Sequence, residues 1–283
     1  MNLKKAVLSI LPIATPLLAV LAVEQTPTKQ ELAEFVITAT REPEPLSETP
    51  ASVGIITPNS LKLTAPAHPQ QILSQVPGVG VSVTNGEAHT TAIRQPFTTN
   101  PLYLFLEDGI GVRPTGFFNH NSLYELNIPM AGGIEVTRGP GSALYGSDAI
   151  GGIVNVLTRS SGPLPEGSIS SEVGSYGWLR ELGSISSGET RFGAFHGDLN
   201  TTHTDGWRDR TGYDRQSGNL RWDWHLAEDT KLKTIIGYTN IDEDLEELGN
   251  VTITDSDISG SGQLVTLKLT ALQKITDRKS TRL

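Results

Sequence analysis

The 283-residue chain contains no cysteine, which removes disulfides, thiolate metal sites and cysteine nucleophiles together. Cationic charge is scarce as well. Lys and Arg number 22 against 31 Asp and Glu, a formal net charge of -9, so nucleic acid, whose binding needs clustered basic side chains, is not an expected partner. Beyond the N-terminal run there is no second long apolar stretch, which excludes a bundle of membrane-spanning helices. A β-barrel stays open, because its strands alternate and their hydropathy averages out. The six histidines, His68, His89, His120, His196, His203 and His225, lack H-E-x-x-H or comparable ligand spacing and read mostly as surface or lumen residues. No Gly-Lys-Ser/Thr supplies a phosphate-binding lysine. Around Ser142 and Ser147, Pro140 and Tyr145 stand where G-x-S-x-G needs its first glycine. No catalytic residue and no metal ligand is assigned.

The N-terminus carries Lys4 and Lys5, an apolar run from Ala6 to Val23 containing Pro12 and Pro16, and then the polar Glu24, Gln25 and Thr26. That layout is expected to be a signal peptide, residues 1–22, cut after Ala22. As a membrane helix the run is barely long enough and is broken twice by proline.

The most informative stretch runs from Gly132 to Arg159, GGIEVTRGPGSALYGSDAIGGIVNVLTR. Ile134 and Val136, then Ile153, Val154, Val156 and Leu157, suit buried strands. Gly139-Pro140-Gly141 and Gly151-Gly152 give turns or close backbone approach. Between them, Ser142 to Gly146 fits one helical turn with Ser142 as its N-cap. The segment resembles, over its whole length, the end of the plug domain of TonB-dependent outer-membrane receptors, "IEVxRGPxSaLYGxxAxGGxINIxT". Sixteen typed positions match, among them Arg138, Gly139, Pro140, Tyr145, Gly146, Ala149, Gly151, Gly152 and Asn155.

Upstream segments fit the same family. Ile72, Leu73, Val76, Pro77, Gly78, Val79 and Val81 follow its "iLxxvPGVxV" pattern, and Thr91 to Arg94 its "ixiRG" strand, with Gln95-Pro96 replacing the expected glycine. Leu102 to Leu106 followed by Asp108-Gly109 resembles its "vlvLlDGv" strand and turn. Asp-Gly after an apolar run is also a hairpin signal in its own right, which favours a turn over a general acid or base at Asp108. Ser52 to Thr57 reads as a strand, and Gln70 to Gln75 as a short helix stopped by Val76-Pro77-Gly78.

The resemblance implies an α+β plug domain at 51–159, a small mixed sheet with short helices, preceded at 23–50 by an N-terminal segment. In that segment Glu34, Phe35, Val36, Ile37, Thr38 and Ala39 match a TonB box, through which the partner TonB would be recruited. An exposed strand-former can add to a partner's sheet edge. The resemblance also implies that outward plug loops touch the ligand. Arg113, Phe117, Phe118 and His120 have suitable chemistry, a charge for an acidic chelate and rings for stacking. The two phenyl rings would equally well anchor their loop against a barrel wall.

After Ser160 to Pro165, a linker in texture, alternation takes over. Leu220, Trp222, Trp224 and Leu226 share one face and Arg221, Asp223 and His225 the other. Leu232, Thr234, Ile236 and Tyr238 alternate again. Residues 160–276 are therefore expected to start an antiparallel transmembrane β-barrel, apolar toward lipid and polar toward the lumen. Short turns are expected at Ser187–Thr190 and Ala227–Thr230, and long loops at Thr202–Arg215 and Asp242–Gly262. Asp242, Glu243, Asp244, Glu246, Glu247, Asp255 and Asp257 read as a solvated acidic loop rather than a calcium site. A plugged barrel of about 22 strands needs far more than the 124 residues after Arg159, so the chain is expected to be a fragment. Asp277 to Leu283 break the strand texture, match one reading frame of a common sequencing adapter, and are expected to be non-native. The expected function is uptake across the outer membrane of a metal chelate, a ferric siderophore first, or of a cobalamin-like nutrient. The alternative is a periplasmic plug-like signalling or binding module, with a soluble secreted β-enzyme third.

Overall fold

Short β-branched runs interrupted by Pro and Gly cannot form long helices, and the chain folds accordingly into strands. The structure is a computed structural model that describes residues 35–41, 43–116, 119–208, 210–227, 230–244 and 259–273. Residues 35, 244 and 259–273 are described by backbone alone. The signal peptide expected at 1–22, Glu34, Phe117, Phe118 and the tail at 277–283 lie outside those residues.

The first elements are β1 (Phe35–Val36) and β2 (Glu44–Pro45), paired antiparallel, then β3 (Val53–Ile56), α1 (Pro58–Thr64) and α2 (Pro69–Leu73). The strands β4 (Val79–Asn85) and β5 (Ala88–Ile93) form a hairpin of their own. They lead to β6 (Tyr103–Glu107), β7 (Ile110–Gly111), 3-10 turns at Asn119–Glu125 and Ile128–Met130, β8 (Ala131–Arg138), α3 (Ser142–Tyr145) and β9 (Gly152–Thr158). The plug sheet has the order β3-β8-β9-β6-β7. It is mixed, since β6 runs parallel to β9 while the other pairs are antiparallel. The α+β expectation holds.

Two predicted details need amending. Helix α1 was not expected, although its signal was present: Thr57 caps it by accepting from Ser60 N, and proline occupies the first turn. The turn at 142–145 is helical as expected, but Gly141 sits at its N-cap without a side-chain bond, and Ser142 is its first residue.

One face of the plug sheet carries the main core. Ile134, Val136, Val154, Val156, Tyr103 and Phe105 pack there with Ile72, Leu73 and Ile93, each side chain contributing about 1.5–3 kcal/mol by burial. The other face holds a smaller cluster of Leu104, Leu106, Ala149 and Ile153 against Tyr145. Glycine permits this packing. A Cβ on Gly152 would lie 2.7 Å from both Ile93 Cδ1 and the Thr137 carbonyl, and one on Gly141 2.4 Å from Ile153 Cδ1. The glycine-rich segment is thus a device for close approach.

Behind the plug come β10 (Pro165–Val173), β11 (Leu179–Thr190), β12 (Gly193–Thr204), β13 (Tyr213–Ala227), β14 (Thr230–Asp244) and β15 (Ser259–Gln273). They form one antiparallel six-stranded sheet in sequence order, and it does not close on itself. Leu220, Trp222, Trp224, Leu226, Ile236 and Tyr238 point away from the plug, with Ile169, Ile185 and Leu199; all are exposed except the half-buried Trp222 and Trp224. Arg180, Ser186, His196, Asp198, Asn200, Thr202, Arg215 and Ser217 point toward it and are buried. Apolar outside and polar inside is the inverse of a soluble sheet and the pattern of a barrel wall. Near the short turns, Phe195, Trp222 and Trp224 stack at 5.4 and 5.1 Å between successive ring centroids, as in an interfacial aromatic girdle.

Turn positions shift a little from expectation. The Ala227–Thr230 turn is in place, but the earlier one lies at Thr190–Gly193, beyond an irregularity between Ser186 and Glu189. The strands also run on to Thr204 and start at Tyr213, which leaves a shorter loop than Thr202–Arg215.

Candidate functional site

Two regions carry the expected site residues. The first is the segment 34–39. Val36 is fully buried, and the backbone N–H of Ile37 and Thr38 both donate to the Glu135 carboxylate, at 3.1 and 2.7 Å. The Thr38 hydroxyl donates to the same carboxylate and accepts from Asn155 Nδ2 at 2.9 Å. Glu135 on β8 lies opposite Asn155 on β9, on the sheet face turned away from the main core. Hydrogen bonds to an ionised carboxylate are worth about 1.5–3 kcal/mol each, so the segment is docked by a few strong contacts. Arg41 N bonds Ile37 O at 2.8 Å, and the Arg41 guanidinium lies 4.6 Å from the Tyr145 ring centroid.

The second region is the loop that follows β7. Arg113 does not face open space. Its Nε and Nη2 reach Glu125 Oε1 at 2.8 and 2.7 Å, and its Nη1 donates to Asn121 Oδ1 at 2.6 Å. Burial pushes the Glu125 carboxyl above its usual range while Arg113 opposes that shift. The guanidinium thus braces the loop. His120 sits beside it with its ring bonded to the Thr99 backbone, and burial, then Arg113, lowers its pKa. The loop 95–101 and the loop 113–121 therefore meet at His120. A second brace lies across the loop, where Asp148 Oδ2 accepts from Gly116 N at 2.7 Å and from Asn119 Nδ2.

Residues that sequence reasoning passed over join plug to wall. Arg215 reaches Glu87 Oε2 and donates to Leu126 O at 2.8 Å. Glu243 accepts from Glu87 N at 2.9 Å and from Ala88 N at 3.3 Å, clasping the β4–β5 turn. Glu243 is therefore buried in the seam and not part of a solvated acidic loop. Its signal was parity, since it falls in step with the buried Ile235, Thr239 and Ile241. Arg180 donates to Pro66 O at 2.8 Å, and Asn127 accepts from Ser217 Oγ at 3.2 Å. Toward the short-turn end, Asp108 lies 3.5 Å from Lys233 Nζ and 3.9 Å from Arg221 Nη1, while its other oxygen accepts from Thr158 N and Oγ1. Asp108 and Gly109 both have positive φ, the two-residue hairpin turn expected of Asp-Gly. Among the described residues no group of three His, Asp or Glu is placed to hold a metal ion.

His68 and His89 are structural, not surface. His89 Nδ1–H donates to Glu87 O at 2.7 Å, and its Nε2 accepts from Leu123 N at 3.3 Å. Both ring nitrogens are thus satisfied only in the neutral form. Burial lowers its pKa to about 3, and that of His68 in the same direction. Because the folded pKa is depressed, the stabilisation is complete above the unfolded pKa of about 6.5 and declines as pH falls toward 3. At pH 5 the loss from His89 is about 2 kcal/mol. Protection factors for amide exchange across β4–β5 and 119–125, with the intrinsic pH dependence divided out, are expected to fall between pH 7.5 and 5 in the parent. In His89→Gln they should change much less, and an equal pH slope in both would contradict this origin.

A family model described as the TonB-dependent receptor plug domain matches residues 45–153. The vitamin B12 transporter BtuB of Vibrio vulnificus (strain CMCP6) is 37% identical over 130 residues, 44% of this chain and 20% of that protein. The alcaligin outer-membrane receptor FauA of Bordetella pertussis superposes with a TM-score of 0.61 at 21% identity, covering 75% of this chain and 36% of that one. The ferripyoverdine receptor of the Pseudomonas aeruginosa outer membrane gives 0.60 at 18%, covering 84% and 33%. The chain matches a fifth of the curated relative's length and about a third of these receptors. Residues 45–153 thus match the TonB-dependent receptor plug domain, and the mixed plug sheet followed by strands apolar outward and polar toward the plug has the fold of these outer-membrane receptors.

Proposed function

We propose that the protein acts in energised uptake of a ferric siderophore or a cobalamin-like nutrient across the outer membrane of a Gram-negative cell. The observation that carries the reading is the seam. Plug residues from Pro66 to Thr158 are bonded to the inward face of β11–β14 over the height of the sheet, as an occluding domain in a lumen requires. The outward apolar face meets lipid, and the short turns face the periplasm. The loops at 95–101 and 113–121, with Arg113, Phe117, Phe118 and His120, contribute to the substrate side, where Arg113 acts by holding the loop's shape. Residues 34–39 recruit TonB by strand addition. No bond is made or broken in such a cycle. A plug acting alone as a signalling module would not need β10–β15 and their outward apolar face.

The V. vulnificus relative is named a B12 transporter, and the match takes in 44% of this chain and 20% of that protein, so substrate choice is decided by growth. A deletion strain is expected to fail when cobalamin is limiting or when iron is presented only as a chelate, and to recover with the intact gene. Normal growth in both regimes would sink the uptake reading.

A further inference from the structure

We propose that the cavity beside the Asp108 turn is an anion site at the short-turn end of the seam, where Lys231, Lys233 and Arg221 receive a carboxylate or phosphate group in exchange for Asp108. Its place on the exit side rests on the uptake reading above, whereas the binding of an oxyanion does not. A cavity of about 370 Å³ opens against β11–β14 near their short turns, with Arg221, Asp223, His225, Lys231 and Lys233 in its lining. At about 30 Å³ per water it has room for an oxyanion and part of its hydration shell. His225 lies opposite Lys231, and Asp223 opposite Lys233, across the β13–β14 pair, so these groups share one face of the wall.

Formal charge around the cavity balances, but distance does not. Asp223 is committed to Arg221, which it meets at 2.6 and 3.1 Å. Glu189, the other acid of the lining, stands on β11, three strand spacings or about 14 Å from β14. Among the described residues Lys231 forms no ion pair, and Lys233 reaches Asp108 alone, at 3.5 Å from behind the lining. The same Asp108 oxygen is 3.9 Å from Arg221. At the other end of the seam, by contrast, Arg215 and Glu87 are in contact and buried. Coulomb attraction falls with distance, so an oxyanion at hydrogen-bond distance from both lysines competes favourably with Asp108 for Lys233. Asp108 is not orphaned by the exchange. Its other oxygen keeps Thr158 N at 3.2 Å and Thr158 Oγ1 at 2.6 Å, and Arg221 stays anchored on Thr158 O at 2.9 Å. A cargo with an anionic group that passes between plug and wall is received here, and by drawing Lys233 off Asp108 it eases the plug turn from β14.

The test titrates the intact receptor, purified in detergent, with inorganic phosphate at constant ionic strength and reads the heat of binding. Lys231→Gln removes a cation that holds no carboxylate in the seam, and it is expected to weaken binding about tenfold or more. Asp108→Asn removes the competitor and keeps a residue suited to the positive φ of the turn. It should strengthen binding several-fold. Opposite signs are what a bracing role alone cannot give. The proposal is overturned if phosphate does not bind the parent, if Lys231→Gln binds it as the parent does, or if Asp108→Asn binds it no more tightly. Uptake by the same variants then identifies the source of the anion. A lower maximal rate in Lys231→Gln at unchanged half-saturation assigns the site to the cargo's own group, and unchanged uptake with phosphate binding lost assigns it to free phosphate. Normal growth of the deletion strain would end the uptake reading and leave the phosphate result standing.

Discussion

Removing residues 34–39 is expected to reduce uptake to that of cells without energised transport while substrate binding at equilibrium stays at the parent level. The segment lies outside both hydrophobic clusters, and β1 is tied to β2 by only two residue pairs. The loop proposed for the substrate side has its own braces, Arg113 with Glu125 and Asp148 with Gly116 and Asn119, which do not involve residues 34–39. Binding and uptake of labelled substrate, measured on the same cells, separate the two effects. Uptake at the parent rate would mean that another part of the chain engages the energy source. The docked geometry adds a second expectation. Strand addition uses free backbone donors, yet the Ile37 and Thr38 N–H groups are occupied by Glu135. In this conformation the segment is closed to a partner, so Glu135→Gln should increase capture by TonB where the deletion removes it.

Much of the fold was legible because its signals are local. Alternation at 220–226 and 232–238 fixed which side chains face outward, Asp108-Gly109 marked its own hairpin, and the glycines of 132–159 announced close packing. The site was less legible because its contacts are not local. Arg113 looked like a free charge for a chelate, but its partner Glu125 is twelve residues on, behind a 3-10 turn that has no apolar period. His89 carries no motif, and its role depends on Glu87 and Leu123 closing around it. Glu243 sat in a run of acids whose composition suggested water. Its backbone donors are about 155 residues away, a separation that no local pattern encodes. Where spacing did hold the answer, as in the capped start of α1 or the inward parity of Glu243, reading charge and composition first hid it.

At the seam, Arg215→Ala is expected to be the most damaging single change. Arg215 is 3% exposed and is the cation against Glu87, with the Glu243 carboxylate bonded to the neighbouring backbone. Truncating it leaves buried carboxylates facing each other without a counter-charge, at a cost of about 3–5 kcal/mol. It also strips the donor from Leu126 O. The penalty should be local to the wedge, so amide exchange at Glu87 and Ala88 should accelerate far more than in β8 and β9. The double variant Arg215→Met/Glu87→Gln removes one charge of each sign and should regain most of the loss, since breaking a buried pair costs more than replacing it. Equal damage in single and double variants would show that Arg215 acts through packing and not through charge. The distinction bears on transport. Under the proposed function, force applied through the N-terminal segment is expected to part the Glu135 clasp before the β4–β5 hairpin, which Arg215 and Glu243 hold to the wall.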